Sequence, residues 1–188
     1  YDWPTVFELL SRHQGWVNSS RPGGKSLFAP LHQVAHAGAP AEIARRLLQL
    51  GAFRTLLNAQ GERPVDVAEN RGHHHLRELL TPVFKHQVPP DVLLRIQSHF
   101  HEVIRGRIDL ALPNHGLRLP QLAPLLELDQ PDMWFPVPGM YGGFSYRLVS
   151  SGVAAKLVAE SWCRVVGGSG QRHEITSAGR KLVDEGFV

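Results

Sequence analysis

The segment Ala29-Pro30-Leu31-His32-Gln33-Val34-Ala35-His36-Ala37-Gly38 is echoed 34 residues later by Arg63-Pro64-Val65-Asp66-Val67-Ala68-Glu69-Asn70-Arg71-Gly72. A period of this length constrains the fold more than any other feature of the chain. Each repeat is one supersecondary unit, and it buries its apolar face only by stacking on a neighbour. The punctuation of the unit is physical. Pro30 and Pro64 stand at first helical positions, where a missing N–H is not needed, and Gly38 and Gly51 fall where a helix ends and the backbone turns left-handed. Between the echoes, Ile43-Ala44-Arg45-Arg46-Leu47-Leu48-Gln49-Leu50-Gly51-Ala52 supplies a second apolar helix, and Asn58-Ala59-Gln60-Gly61 marks the return to the start.

The pattern resembles the ankyrin repeat, in which a Pro-Leu-His start, a pair of small residues, a Leu-Leu-x-x-Gly-Ala helix end and an Asn/Gly-rich turn recur. The resemblance covers residues 3–82. It implies helices over 30–37 and 41–50, with one extra residue in Ala39-Pro40-Ala41, and a half unit upstream whose helix runs within 2–13 from the Asp2 cap. The loop Ser19 to Ser26 is longer than the family norm. The second full repeat departs further, with Asp66 in the place of His32 and Leu79-Leu80 running into Thr81-Pro82. About two and a half repeats result, so residues 83–188 are expected to cover the open end, and truncation after Leu80 should leave an unfolded chain. What the resemblance implies for function is a scaffold without catalytic residues or cofactor. Such a scaffold holds a protein partner on its turns near 18–29 and 54–63, through Arg21, Lys25, Phe28, Arg54, Glu62 and Arg63.

The rest of the chain has no such period. After Pro89-Pro90-Asp91, the apolar residues Val92, Leu93, Ile96, Phe100, Val103 and Ile104 mark one long amphipathic helix. A Leu/Pro-rich run follows over 117–128, with a short helix in it. From Met133 onward the composition becomes aromatic, β-branched and glycine-punctuated. Strands are expected over Phe144–Val149, Leu157–Val166 and Gln171–Thr176, with a hairpin turn at Gly167-Gly168-Ser169-Gly170. Residues 179–188 read first as a short closing helix around Arg180–Asp184, with a fourth strand as the alternative. Met133 to Phe144, rich in Pro, Gly and aromatics, reads as a segment that cannot be regular throughout. The expected fold class is mixed: an ankyrin-type helical solenoid over 1–82, then an α+β unit over 83–188 with a three-to-four-stranded antiparallel meander.

Several chemistries lack support. The 20 basic residues are scattered among 17 acidic ones for a net charge of +3, which argues against a phosphate-tracking stripe. An Ile175–Arg180 stretch with the flavour of a winged-helix wing keeps DNA binding as the least favoured class. No run is apolar enough to span a membrane and no secretory signal opens the chain, so it reads as cytosolic. Arg outnumbers Lys, which suits a GC-rich bacterial genome. One cysteine, Cys163, excludes an internal disulfide. His73-His74-His75 begins where a Gly-His pair opens the second repeat helix, and no metal is expected there. Gly23-Gly24-Lys25-Ser26 and Gly167-Gly168-Ser169-Gly170 lack the rest of a phosphate loop.

One surface remains as an alternative site. With Val166 opposite Gln171, Cys163 and His173 point to opposite faces of the sheet, which leaves Cys163 without a base. The same register gathers Tyr141, Glu160, Trp162, Arg164 and His173, with Ser145 opposite Glu160. Such a face can bind a small molecule or a peptide, or carry an enzymatic function. The leading expectation is a non-catalytic bacterial interaction protein, regulatory or toxin-neutralising.

Overall fold

The structure, a computed structural model, describes residues 1–108, 117–164 and 168–186, and the chain divides into two compact units, Tyr1–Val83 and Phe84–Val188. The fold is mixed α+β: among the described residues, six α-helices are followed by a five-stranded antiparallel sheet.

In the first unit, α1 (Trp3–Arg12) starts under Asp2, whose carboxylate accepts from the Thr5 N–H at 3.2 Å, and it buries Phe7 and Leu10. The helices α2 (Pro30–Ala37) and α3 (Ala41–Gln49) are joined by a turn in which Gly38 has φ 60°. The next pair is α4 (Pro64–Asn70) and a 3-10 turn, His74–Leu76, that runs on into α5 (Arg77–Leu80). Ala35, Ala44 and Ala68 are fully buried beside Val34 and Leu47, so small side chains set how closely these helices approach.

The two echoed segments use different residues for one task. His32 Nδ1 accepts from the Ala29 N–H at 3.3 Å, and Asp66 accepts from the Arg63 N–H at 2.8 Å, each filling a donor left open at a helix start. His32 Nε2–H then donates to the Glu62 carbonyl at 3.1 Å, while the Ala59 N–H reaches the Ser26 carbonyl at 2.9 Å. Successive turns are thereby tied to each other. The histidine triplet is structural in the same sense: His73 Nδ1–H donates to Ala35 O at 2.8 Å and His75 Nε2–H to Ala39 O at 3.1 Å. A Cβ on Gly38 would lie 2.6 Å from the His73 ring, so this glycine serves both the turn and the packing.

The second unit is built on α6 (Pro90–Ile108), which lays Leu93, Ile96, Phe100, Val103 and Ile104 on one face of the sheet. The strands are β1 (Asp132–Val137), β2 (Gly142–Ser150), β3 (Lys156–Cys163), β4 (Ser169–Thr176) and β5 (Gly179–Gly186), in spatial order 1-2-3-4-5. Phe144, Tyr146, Leu148, Leu157, Ala159 and Ile175 alternate onto the α6 side, as a period of two requires. Phe100 sits between Tyr146, with centroids 4.9 Å apart, and Phe144, at 6.2 Å edge to face.

Four expectations for this unit need correction. The sheet has five strands, because Asp132–Val137 is a regular edge strand; its Pro136 is tolerated there since an edge has a side that needs no donor. Residues 179–186 form β5 and not a helix. Five residues between glycines gain little from helix formation alone, whereas the two-residue turn Ser177-Ala178 delivers them to the open edge of β4, where they gain ladder bonds. Ser169 and Gly170 belong to β4, opposite Cys163 and Trp162, and are not turn residues. Ser161, not Val166, therefore lies opposite Gln171, a slip by an odd number of residues. The expected strand end at Val165 and Val166, and Gly167 of the expected turn, lie outside the described residues.

Candidate functional site

On the first unit, the turns and the ends of the first helices enclose an open hollow of about 300 Å³ lined by Phe28, His36, Gln60, Glu62, Asn70 and Arg71, among others. Its floor is rigid. Buried Asn58 accepts from the Gln60 and Glu62 N–H groups, both at 2.9 Å, and donates to the Glu62 carboxylate at 2.8 Å, which also accepts from Asn70 at 2.8 Å. Phe28 stacks on His32 and meets His36 edge-on at 5.6 Å. Before it, Leu27 has φ 53°, a left-handed conformation that costs a non-glycine residue roughly 1–2 kcal/mol. Arg71 donates to His36 Nε2 at the wall of the hollow.

Of the residues expected at the turns, Phe28 and Glu62 line this hollow. Arg21 and Lys25 are exposed on the preceding loop. Two others are committed elsewhere: Arg54 Nε donates to Leu79 O at 2.9 Å, and Arg63 is paired with Asp66 at 2.8 Å. His36, Asn70 and Arg71 escaped the sequence reading because they end the first helices rather than lie in the turns. The signal was present, since His36 and Asn70 hold equivalent places in the two echoes, with Arg71 next to the second.

On the second unit, the sheet face away from α6 carries the other candidate surface. Ser145 lies opposite Glu160, as the sequence reading placed it. The odd slip between β3 and β4 corrects the rest, because it turns every β4 side chain to the other face. Glu160 is opposite Arg172 and accepts from its Nε at 2.8 Å, so Arg172 takes the role assigned to Arg164. Arg164 is exposed beyond the end of β3, its N–H donating to Met140 O at 3.1 Å. Tyr141 is 78% exposed at the β1–β2 turn with φ 49°.

His173 is opposite Ala159 on the α6 side, the same face as Cys163, which overturns their expected separation across the sheet. Four residue steps along β3, about 13 Å, still separate Cys163 from Ala159, so Cys163 and His173 do not form a nucleophile–base pair. Trp162 does lie on the outer face, stacked on Trp134 at 4.7 Å with 25° between the rings. Sequence reasoning missed Trp134 because its segment was not recognised as a strand.

The inner face holds a polar island. Arg107 Nε donates to buried Ser161 Oγ at 3.2 Å, and its Nη2 reaches Ser169 O at 3.1 Å and Oγ at 3.0 Å. His173 Nδ1 is buried near them without a hydrogen-bond partner among the described residues. Burial first, and then the Arg180 and Arg107 charges, hold His173 below its ordinary value of 6.5. His101 and His36 are lowered too, mainly by burial.

All three shifts have one sign. Below about pH 6.5 the unfolded chain takes up protons that the folded one resists, so stability falls as pH drops through that value toward the folded pKa values. The urea midpoint should be lower at pH 5.5 than at pH 7.5; equal midpoints would contradict this. Among the described residues, no group of three or more His, Cys, Asp or Glu side chains could hold a metal ion, and no helix is long and apolar enough to cross a membrane. Comparison with family models, with curated proteins and with solved structures returned no match to the chain, so what can be said of its function rests on these two surfaces.

Proposed function

We propose that the chain is a non-catalytic protein-recognition module of the ankyrin type, holding a protein partner on the turn face of its first unit. The observation that carries this is the hollow between successive turns, with an aromatic, a guanidinium and a row of amide and carboxylate groups on a hydrogen-bonded floor. Interfaces draw most of their affinity from a few aromatic and arginine anchors set among polar neighbours. Phe28 and Arg71 have that character. The echoed segments, their equivalent helix-start bonds through His32 and Asp66, and the Gly38–His73 packing support the ankyrin assignment. We place it in a bacterial cytosol, since its Arg-rich, Lys-poor composition suits a GC-rich bacterial genome, and a regulatory or toxin-neutralising role is one use of such a module.

The test is capture of a partner by the full chain from lysate of its host, repeated with Phe28→Ala and Arg71→Ala. Hot-spot truncations typically cost about 2 kcal/mol or more, so each should weaken binding of the retained protein by roughly 30-fold. Val153→Ser, at an exposed position of the other unit, should leave that capture unchanged. Undiminished capture by both turn variants would refute the assignment.

A further inference from the structure

The outer face of the sheet contains a row in which glycines leave one aromatic side chain exposed from the side. Gly143, Trp162, Gly170 and Gly186 are successive cross-strand partners on β2, β3, β4 and β5. Trp134 leans over Gly143 and covers one face of the Trp162 ring; a Cβ on Gly143 would come within 2.9 Å of the Trp134 ring. Toward β4 and β5 no side chain rises from the row. A Cβ on Gly186 would meet nothing within 4 Å.

The next row supplies a polar wall: Glu160, Arg172 and Asp184 are likewise successive partners. These residues enclose a slot of about 230 Å³. That is below the roughly 300–1,000 Å³ of a pocket for a drug-sized molecule, which limits the occupant to one small group or one side chain. Arg172 is neutralised by Glu160, with Nε to Oε1 at 2.8 Å, so Asp184 across from it and Glu185, which accepts from Gln171 at 2.6 Å, leave the slot with an excess of two negative charges.

We propose that this slot binds an organic cation, a guanidinium or protonated amine, stacked on the open face of Trp162 and paired with Asp184. Tryptophan offers the strongest aromatic face for a cation, and a planar guanidinium can stack on it while its edge bonds a carboxylate. An anion would meet three carboxylates with one already-paired guanidinium, and a neutral ring would leave Asp184 uncompensated. The cation can come from a free amine or from a side chain of a polypeptide. The site is independent of the turn face of the first unit and stands or falls without it.

The test is an NMR titration of the full chain labelled at its tryptophan indoles, with the Trp162 signal identified by its loss in Trp162→Phe. Agmatine represents the free cation and a doubly blocked Gly-Arg-Gly peptide the side chain; the peptide with citrulline in place of arginine keeps the shape and removes the charge. Expected are shifts of the Trp162 indole with agmatine, the arginine peptide or both, the tighter of the two naming the source. Affinity should drop about tenfold in Asp184→Asn and saturable shifts should be lost in Gly186→Leu, which fills the slot where space is open. A Trp162 signal unmoved by either cation, an equal response to the citrulline peptide, or undiminished binding by Gly186→Leu would each overturn the proposal.

Discussion

Phe100→Ala will lower the unfolding free energy by about 3–5 kcal/mol, the range for truncating a fully buried phenylalanine. Phe100 is 0% exposed and is the one aromatic that α6 sets against the sheet, in contact with both Tyr146 and Phe144. Its removal forfeits the transfer free energy of the ring, leaves a cavity between a helix and a sheet that cannot both collapse into it, and loses two aromatic pairs worth about 0.5–1.5 kcal/mol each. Since domains are stable by only about 5–15 kcal/mol, this is a large part of the total. Urea unfolding followed by near-ultraviolet circular dichroism would read it as a shifted midpoint with an unchanged slope. A loss under 1 kcal/mol would mean that α6 does not pack as described.

Gly143→Ala should be nearly as damaging although it adds a single methyl group. The added Cβ would lie 2.2 Å from the Phe135 carbonyl oxygen and 2.9 Å from both Pro136 Cα and the Trp134 ring. Backbone cannot rotate away as a side chain can, so β1 must separate from β2, at the roughly 1–3 kcal/mol or more typical of overpacking. The same displacement should break the Trp134–Trp162 stack, visible as a change in the near-ultraviolet tryptophan bands. Gly186→Ala, whose Cβ meets nothing, is the matched control and should be silent.

The helical unit was legible because its signals are local. Proline at a helix start, glycine in the left-handed turn and a His or Asp three residues inside the helix act within a few residues, so α2, α3 and α4 could be placed from the sequence. The hollow was less legible: His36 and Arg71 are brought to it by the stacking of the two echoed segments, which neither displays alone. In the sheet, strands β2, β3 and β4 followed from alternation, and the Ser145–Glu160 pairing held.

The β3–β4 register did not follow, because Gly167-Gly168-Ser169-Gly170 looks like a turn from composition, while Ser169 and Gly170 gain ladder bonds opposite Cys163 and Trp162. That odd slip moved His173 inward and Arg172 outward, and changed which side chains meet. β5 was misread for a related reason. Its charged run has no intrinsic strand preference and is recruited by the free edge of β4.

On the proposed function, a protein partner lies on the turn face of the first unit. Amide hydrogen exchange of the full chain, free and in complex with the captured partner, addresses it directly. The account predicts new protection concentrated in residues 26–36 and 58–72, where Phe28, His36, Glu62 and Arg71 stand. Protection confined to residues 132–186, with those turns exchanging as in the free chain, would contradict it.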